Sequence, residues 1–247
     1  MVHISTRSEQ FSYFSTQLGE SMWRGKDVLD FGGNIGGILR DPTSTIDEEH
    51  YWCVDIIKEA IERGKLSYPK AHWHFYNRYN FTFNPYGIPN LDIPDLKQKF
   101  DYVLAYSVFT GTTQTEMLEL VPKLEELLKE NGMLAFSFID PHHYSWPGRY
   151  DGNNLKWRLD MMKKNDGSTA DIEKLMEKSG NSKWCILIND DDLYIDNEDI
   201  KHYKSIDKKS CYTFYSYKYM KTLFPQATIL PPVNHEMQHC CVIRKSG

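Results

Sequence analysis

Apolar and polar positions change their period several times along the chain. Residues 8–24 place Phe11, Phe14, Leu18, Met22 and Trp23 near helical spacing, which predicts one or two amphipathic helices packed on the edge of the succeeding elements. Short apolar runs at residues 28–31 and 51–55 predict two strands, and a helix is expected over residues 56–65. Residues 71–76 alternate and are rich in aromatics, as a third strand would be. A polar and aromatic loop comes next, in which Pro85, Pro89 and Pro94 resist strand or helix interiors. The run at residues 100–109 is continuously apolar at its centre, the mark of a strand covered on both faces. Met117, Leu120, Val121, Leu124, Leu127 and Leu128 share one face of a helix over residues 113–130. Pro122 should kink it or divide it in two, and Asn131-Gly132 should stop it. Residues 133–139 predict a fifth strand.

Strands alternating with helices imply parallel pairing, right-handed crossovers and a doubly wound α/β sheet. In such sheets ligands bind beyond the carboxyl ends of the strands, so the turns after Phe31, Asp55, Tyr76, Tyr106 and Ile139 should share one rim. The pattern breaks near Asp140. Residues 141–209 carry an aromatic and histidine-rich loop, a helix near residues 154–164, a second helix capped by Ser168 that runs to Lys178, and an acidic stretch over residues 190–199. Extended character returns at residues 212–215. No crossover helix follows Pro231-Pro232, so the last segment should enter the sheet antiparallel as a hairpin partner. The simplest organisation is a core of residues 1–140 and 210–247 with a lid inserted at 141–209.

Composition narrows the partners. The net charge of −5 leaves no excess of Lys and Arg to neutralise phosphates, which disfavours nucleic acid. There is no apolar run of membrane-spanning length and no secretory h-region, so a cytoplasmic protein without a membrane partner, monomer or homodimer, is expected. The five cysteines form no CxxC pair and read as reduced, mostly buried thiols, with Cys240 and Cys241 on opposite faces of a strand.

The candidate chemistry starts at Asp30-Phe31-Gly32-Gly33-Asn34-Ile35-Gly36, between a strand and an expected helix. Glycines there let the turn use positive φ and let a ligand approach the main chain, and such a turn by itself accepts a dinucleotide equally well. Asp55, at the end of the second strand, can accept two hydrogen bonds from a ribose diol or can act as a helix N-cap. Together the two features indicate a cofactor containing adenosine.

The segments VLDFGGNIGGIL, YWCVDI, FDYVLAYSVFT and NGMLAFSFI resemble, in order and spacing, motifs I, II, IV and VI of the class I S-adenosylmethionine-dependent methyltransferases. The ending FPQATILPPVNHEMQHCCVIRK is similar to the terminal hairpin of bacterial small-molecule members. The resemblance covers residues 20–140 and 210–245. It implies a Rossmann-like, mostly parallel seven-stranded sheet with an antiparallel last strand, and S-adenosylmethionine as cofactor with S-adenosylhomocysteine as product. It further implies that Asp30, Phe31, Gly32, Gly33, Asn34 and Gly36 hold the methionine moiety, Asp55 the ribose, Ile56 the adenine face, and Tyr106 with Ser107 the carboxypropyl side. Asn77, Arg78 or Asn80 would lie near the adenine amino group, where the family's usual acidic residue is missing. Asn34 replaces a glycine of the common pattern, and Gly111 stands where relatives often carry histidine.

The candidate bases are Asp140, His142 and His143, just beyond the fifth strand, with loop lining as the alternative for both histidines. Gly111, Tyr144 and Trp146 are the candidate substrate contacts. Trp146, Tyr150, Trp157, Tyr194 and Tyr203 suggest a pocket lined by rings, or ordinary packing of the lid. Asp140, His142 and residues 190–192 are suitable ligand types for a hard cation, but no metal-loop spacing supports one and no metal is expected. The expected activity is methyl transfer to an oxygen or nitrogen, in preference to carbon, of a small aromatic, heterocyclic or amino-acid-derived metabolite. A member of the same fold that binds the cofactor without methylating anything is the alternative.

Overall fold

The computed structural model describes residues 9–143, 152–166, 172–180, 182–188, 192–195, 211–233 and 237–247. The elements of the first half are α1 (Gln10–Leu18), β1 (Val28–Phe31), α2 (Gly37–Arg40), β2 (Tyr51–Asp55), α3 (Lys58–Ser67), β3 (His72–Phe75), β4 (Phe100–Ala105), α4 (Gln114–Glu126) and β5 (Leu128–Ile139). Then come α5 (Asn154–Asp166), α6 (Ile172–Ser179), β6 (Trp184–Ile188), β7 (Asp192–Ile195), β8 (Cys211–Tyr215), α7 (Tyr217–Leu223), β9 (Thr228–Leu230) and β10 (Gln238–Arg244).

Seven strands form one sheet in the order β3-β2-β1-β4-β5-β10-β9. The first five are parallel, and β10 runs antiparallel to both β5 and β9. This is the doubly wound, Rossmann-like sheet with a reversed last strand that the alternation predicts. Successive residues alternate between two cores, as strand pleating requires. Leu29, Val103, Leu134 and Cys241 join α4 and α7 on one side, whereas Val28, Leu104, Ala135 and Cys240 join α1, Trp23 and Trp73 on the other. The adjacent cysteines thus point to opposite faces, and Cys53, Cys185, Cys240 and Cys241 are buried free thiols.

Three details depart from the sequence reading. α1 covers less than residues 8–24 suggested: it stops at Gly19, whose φ of 65° closes the helix. α4 is one helix despite Pro122, opened by a capping box in which Thr113 and Glu116 bond each other's backbone amides. Asn131-Gly132 does not end that helix, which stops at Glu126. The pair lies inside β5, Asn131 at a φ of 62°, where the register against β4 shifts between Phe100 and Tyr102. The turn residues absorb a bulge rather than a cap.

The second half adds a small antiparallel sheet, β7-β6-β8. The extended stretch at residues 212–215 belongs to this sheet, pairing Trp184 with Tyr215 and Leu187 with Tyr212. β8 is tied to the loop after β4 by the Thr213 hydroxyl, which donates to the Thr112 carbonyl at 2.5 Å. Among the described residues, no helix is long and apolar enough to cross a membrane.

Candidate functional site

The carboxyl ends of β1, β2 and β4 border a cavity of about 410 Å³. Its floor is the glycine turn. Asn34 takes the left-handed region at a φ of 53°, and its amide donates to Asp55 Oδ2 at 2.7 Å. The Ile57 amide donates to Asp55 Oδ1, also at 2.7 Å. One carboxylate therefore holds the turn after β1 and the entry to α3 together, and each oxygen keeps a lone pair for a ligand. Ribose acceptor and helix-entry cap are compatible roles for Asp55. Burial raises its carboxyl to about 6, against the pull of those backbone amides.

Phe31, Gly32, Asn34, Asp55, Ile56, Tyr106, Ser107 and Gly111 all line the cavity. Tyr106 is held there by α1, whose Tyr13 and Phe14 meet its ring edge-on at 5.1 and 6.1 Å, so α1 packs at the rim. Ser107 sits at a φ of 58°, and its hydroxyl shares a hydrogen bond with that of Thr110 at 2.9 Å. Of the three residues weighed after β3, Arg78 and Asn80 line the cavity and Asn77 does not. The Asn77 side chain turns back to accept from Asn84 at 3.2 Å. Arg78 is committed to Glu119 and the Leu91 carbonyl, and Asn80 to the Thr82, Phe83 and Gly111 backbones, so both hold the loop in shape.

Asp30, Gly33 and Gly36 lie behind the wall. A side chain on Gly33 would meet the Asp30 carboxyl at 2.5 Å and the Cys53 sulfur at 2.9 Å, so glycine is what lets the turn pass so closely over β1 and β2. Asp30 accepts from the Tyr51 hydroxyl at 2.7 Å through Oδ2, and its buried Oδ1 has no partner among the described residues. Burial first, and the charge of Asp55 after it, raise this carboxyl to about 7, while the Tyr51 bond opposes the rise.

A carboxyl near 3.9 in the unfolded chain and near 7 in the native one binds more protons when folded, so its contribution to stability is full below about pH 4 and fades as pH rises through 7. Asp55 acts in the same direction up to about 6. Urea unfolding of the free protein should therefore show stability falling from pH 5 to pH 8, and Asp30→Asn should remove part of that slope. An unchanged slope would exclude Asp30 as a source of it.

The candidate bases lie outside the cavity lining. Asp140, His142 and His143 do not line the cavity, because each is spent on holding the start of the inserted segment. Asp140 accepts from the His142 and Tyr217 amides, both at 2.8 Å, and its carbonyl accepts from Asn154. His142 pairs with the Ser182 carbonyl at 3.3 Å, and His143 packs edge-on against buried His239 at 4.9 Å. Tyr144 and Trp146 lie outside the described residues, as do Tyr150 and Tyr203. Among the described residues no group of three or more His, Cys, Asp or Glu side chains is placed to hold a metal.

The wall also contains residues that the sequence reading missed. Thr112 and Glu116 come from the loop and first turn leading into α4, Tyr212 from β8, Met237 from just before β10 and Gln238 from its start; Trp157, which the sequence reading did name as a pocket ring, joins them from α5. β10 is reversed, so its first residue reaches the rim that the parallel strands reach with their last.

A family model described as a methyltransferase domain matches residues 29–134. The ribosomal protein L11 methyltransferase of Lactobacillus johnsonii is 30% identical over 119 residues, which are 46% of this chain and 31% of that protein. The chain thus spans about a third of the length of this curated relative. A S-adenosylmethionine-dependent methyltransferase from Clostridium acetobutylicum shares the fold at a TM-score of 0.51 and 12% identity, covering 97% of this chain and 91% of that one. A protein from Bordetella parapertussis described as a possible exported protein shares it at 0.52 and 11% identity, covering 97% and 68%. With its sheet order, glycine turn and matched segment taken together, the chain carries a methyltransferase domain over residues 29–134, on a fold it shares with solved S-adenosylmethionine-dependent methyltransferases.

Proposed function

We propose that the cavity binds S-adenosylmethionine and that the chain transfers its methyl group to an oxygen or nitrogen of a small aromatic, heterocyclic or amino-acid-derived metabolite. The observation that carries this reading is Asp55, a buried carboxylate at the end of β2 that faces the cavity and ties the Asn34 turn to it. The residues fit the cofactor: Asp55 is an acceptor for a ribose diol, Ile56 gives an apolar face for adenine, and Gly32 and Asn34 open the main chain to the methionine end, with Tyr106 and Ser107 opposite. Bound there, the cofactor would supply an electrophilic methyl carbon on a sulfonium for the acceptor's lone pair.

The chain's own part is chiefly alignment. Holding two reactants in line is worth about 7–11 kcal/mol of barrier, which is enough to leave a side-chain base optional. That suits a wall from which Asp140, His142 and His143 are absent. Trp157 and Tyr212, contributed by the inserted segment and its sheet, favour a small acceptor lying between them and the cofactor subsite. The Lactobacillus johnsonii relative is named for a protein substrate, and the match to it covers 46% of this chain and 31% of that protein.

Isothermal titration with S-adenosylmethionine and S-adenosylhomocysteine tests the cofactor, and mass spectrometry of products for one added methyl tests the transfer. Absence of binding at millimolar cofactor would sink the reading.

A further inference from the structure

Gln238 opens β10 at the rim of the cavity and is almost fully buried. Its Oε1 accepts the Ser137 hydroxyl proton at 2.6 Å, and the Ser137 oxygen in turn accepts the Ser107 amide at 2.6 Å. A backbone amide can only donate, so the single proton of Ser137 is directed to the glutamine. The relay fixes which end of the Gln238 amide is oxygen, and it turns the Nε2 hydrogens away from Ser137. Nε2 makes no hydrogen bond among the described residues.

A second polar side chain lines the same cavity. The Thr112 hydroxyl is buried without a hydrogen-bond partner among the described residues, while the Thr112 carbonyl is already taken by Thr213. Buried donors and acceptors left unmade are costly, and a ligand that satisfies them recovers that cost. Trp157, Tyr212 and Met237 line the same cavity. Flat apolar walls with a few fixed polar groups are the make-up of a small-molecule subsite.

We propose that Gln238 is a positioning residue for the methyl acceptor: its Nε2 donates to an oxygen or ring nitrogen of a planar aromatic molecule held against Trp157, Tyr212 and Met237. The proposal rests on the methyltransferase reading and deepens it by naming the acceptor class. A fixed amide donor at a phenolic oxygen favours the ionised form of that oxygen, the phenol's proton passing to water. Gln238 thereby does part of what a side-chain base would do, at a wall where the expected bases are missing.

The probe is para-nitrophenol, whose phenolate is coloured. It is titrated by pH in the presence of protein saturated with S-adenosylhomocysteine. Bound to the wild type it should ionise at lower pH than when free. Gln238→Met, which keeps length and volume but removes the donor, should weaken phenolate binding by about 10-fold or more and abolish the shift, while S-adenosylhomocysteine binds as in the wild type. Ser137→Ala, which frees the amide to turn over, should shrink the shift without removing it. Wild-type affinity for S-adenosylhomocysteine in Gln238→Met shows that the variant is folded.

An equal shift in the wild type and Gln238→Met overturns the proposal, as does a nitrophenol spectrum that saturated wild-type protein leaves unchanged. In either case bound S-adenosylhomocysteine leaves the methyltransferase reading standing. Failure of S-adenosylhomocysteine itself to bind is a separate result, and it removes both.

Discussion

Asp55→Ala is expected to weaken binding of S-adenosylmethionine by about 10- to 150-fold, the equivalent of about 1.5–3 kcal/mol for hydrogen bonds to a charged group. Two losses combine in this variant. The ribose loses its acceptor, and the Asn34 amide, 2.7 Å from Oδ2, loses the bond that holds the turn in its left-handed form. The ionised carboxylate is the better acceptor, and the carboxyl titrates near 6 in the free protein. Wild-type affinity should therefore rise between pH 5 and pH 7, and in Asp55→Ala that part of the rise should vanish. Removing a buried carboxyl is not expected to unfold the chain, since its ionised form is the costly one there. Calorimetric titration at several pH values measures both effects, and an alanine variant with wild-type affinity would refute the ribose assignment.

Gly32→Ala should cost about 2–5 kcal/mol of stability. The backbone accounts for about 1–2 kcal/mol, because Gly32 holds a φ of 77° where a Cβ crowds the main chain. Overpacking adds about 1–3 kcal/mol, since the new methyl would lie 2.4 Å from Val108 Cγ2. Gly25 provides the control. Its φ of 70° is nearly the same, yet nothing lies within 4 Å of its Cβ position, so Gly25→Ala should show the backbone cost alone. Denaturant unfolding of the two variants separates the terms, and equal losses would mean that Val108 yields freely. Val108 lines the cavity too, so whatever shift relieves the clash alters the space where the cofactor would lie.

The parallel half of the molecule was legible because its strands are short apolar runs covered on both faces, and because glycines and Asp55 fall where strands end. Gly32, Asn34 and Asp55 could be assigned to one rim from topology alone. Asn131-Gly132 misled, since residues that tolerate positive φ serve a bulge as well as a helix cap. Asp140 does come after β5, but its carboxylate is taken by the His142 and Tyr217 amides, which residue type and position in the sequence do not reveal. Gln238 was missed although a signal existed. Once the last strand is read as reversed, its first residue must stand where the others finish. The hairpin of β6 and β7 was not read, because β7 falls in what read as an acidic stretch, although the run WCILI before Asn189-Asp190 has strand composition.

The reversed strand also bears on how the molecule comes together in time. β1 to β5 succeed one another along the first 139 residues, whereas the bond between Ser137 and Gln238 joins residues 101 apart. Closing so long a loop delays the contact it makes. The half of the cavity assigned to the cofactor can consolidate from contacts nearer in sequence, and the wall carrying Gln238 is expected to be set after it. A nascent chain would then be able to grip a nucleoside before it has anywhere to seat the molecule to be modified.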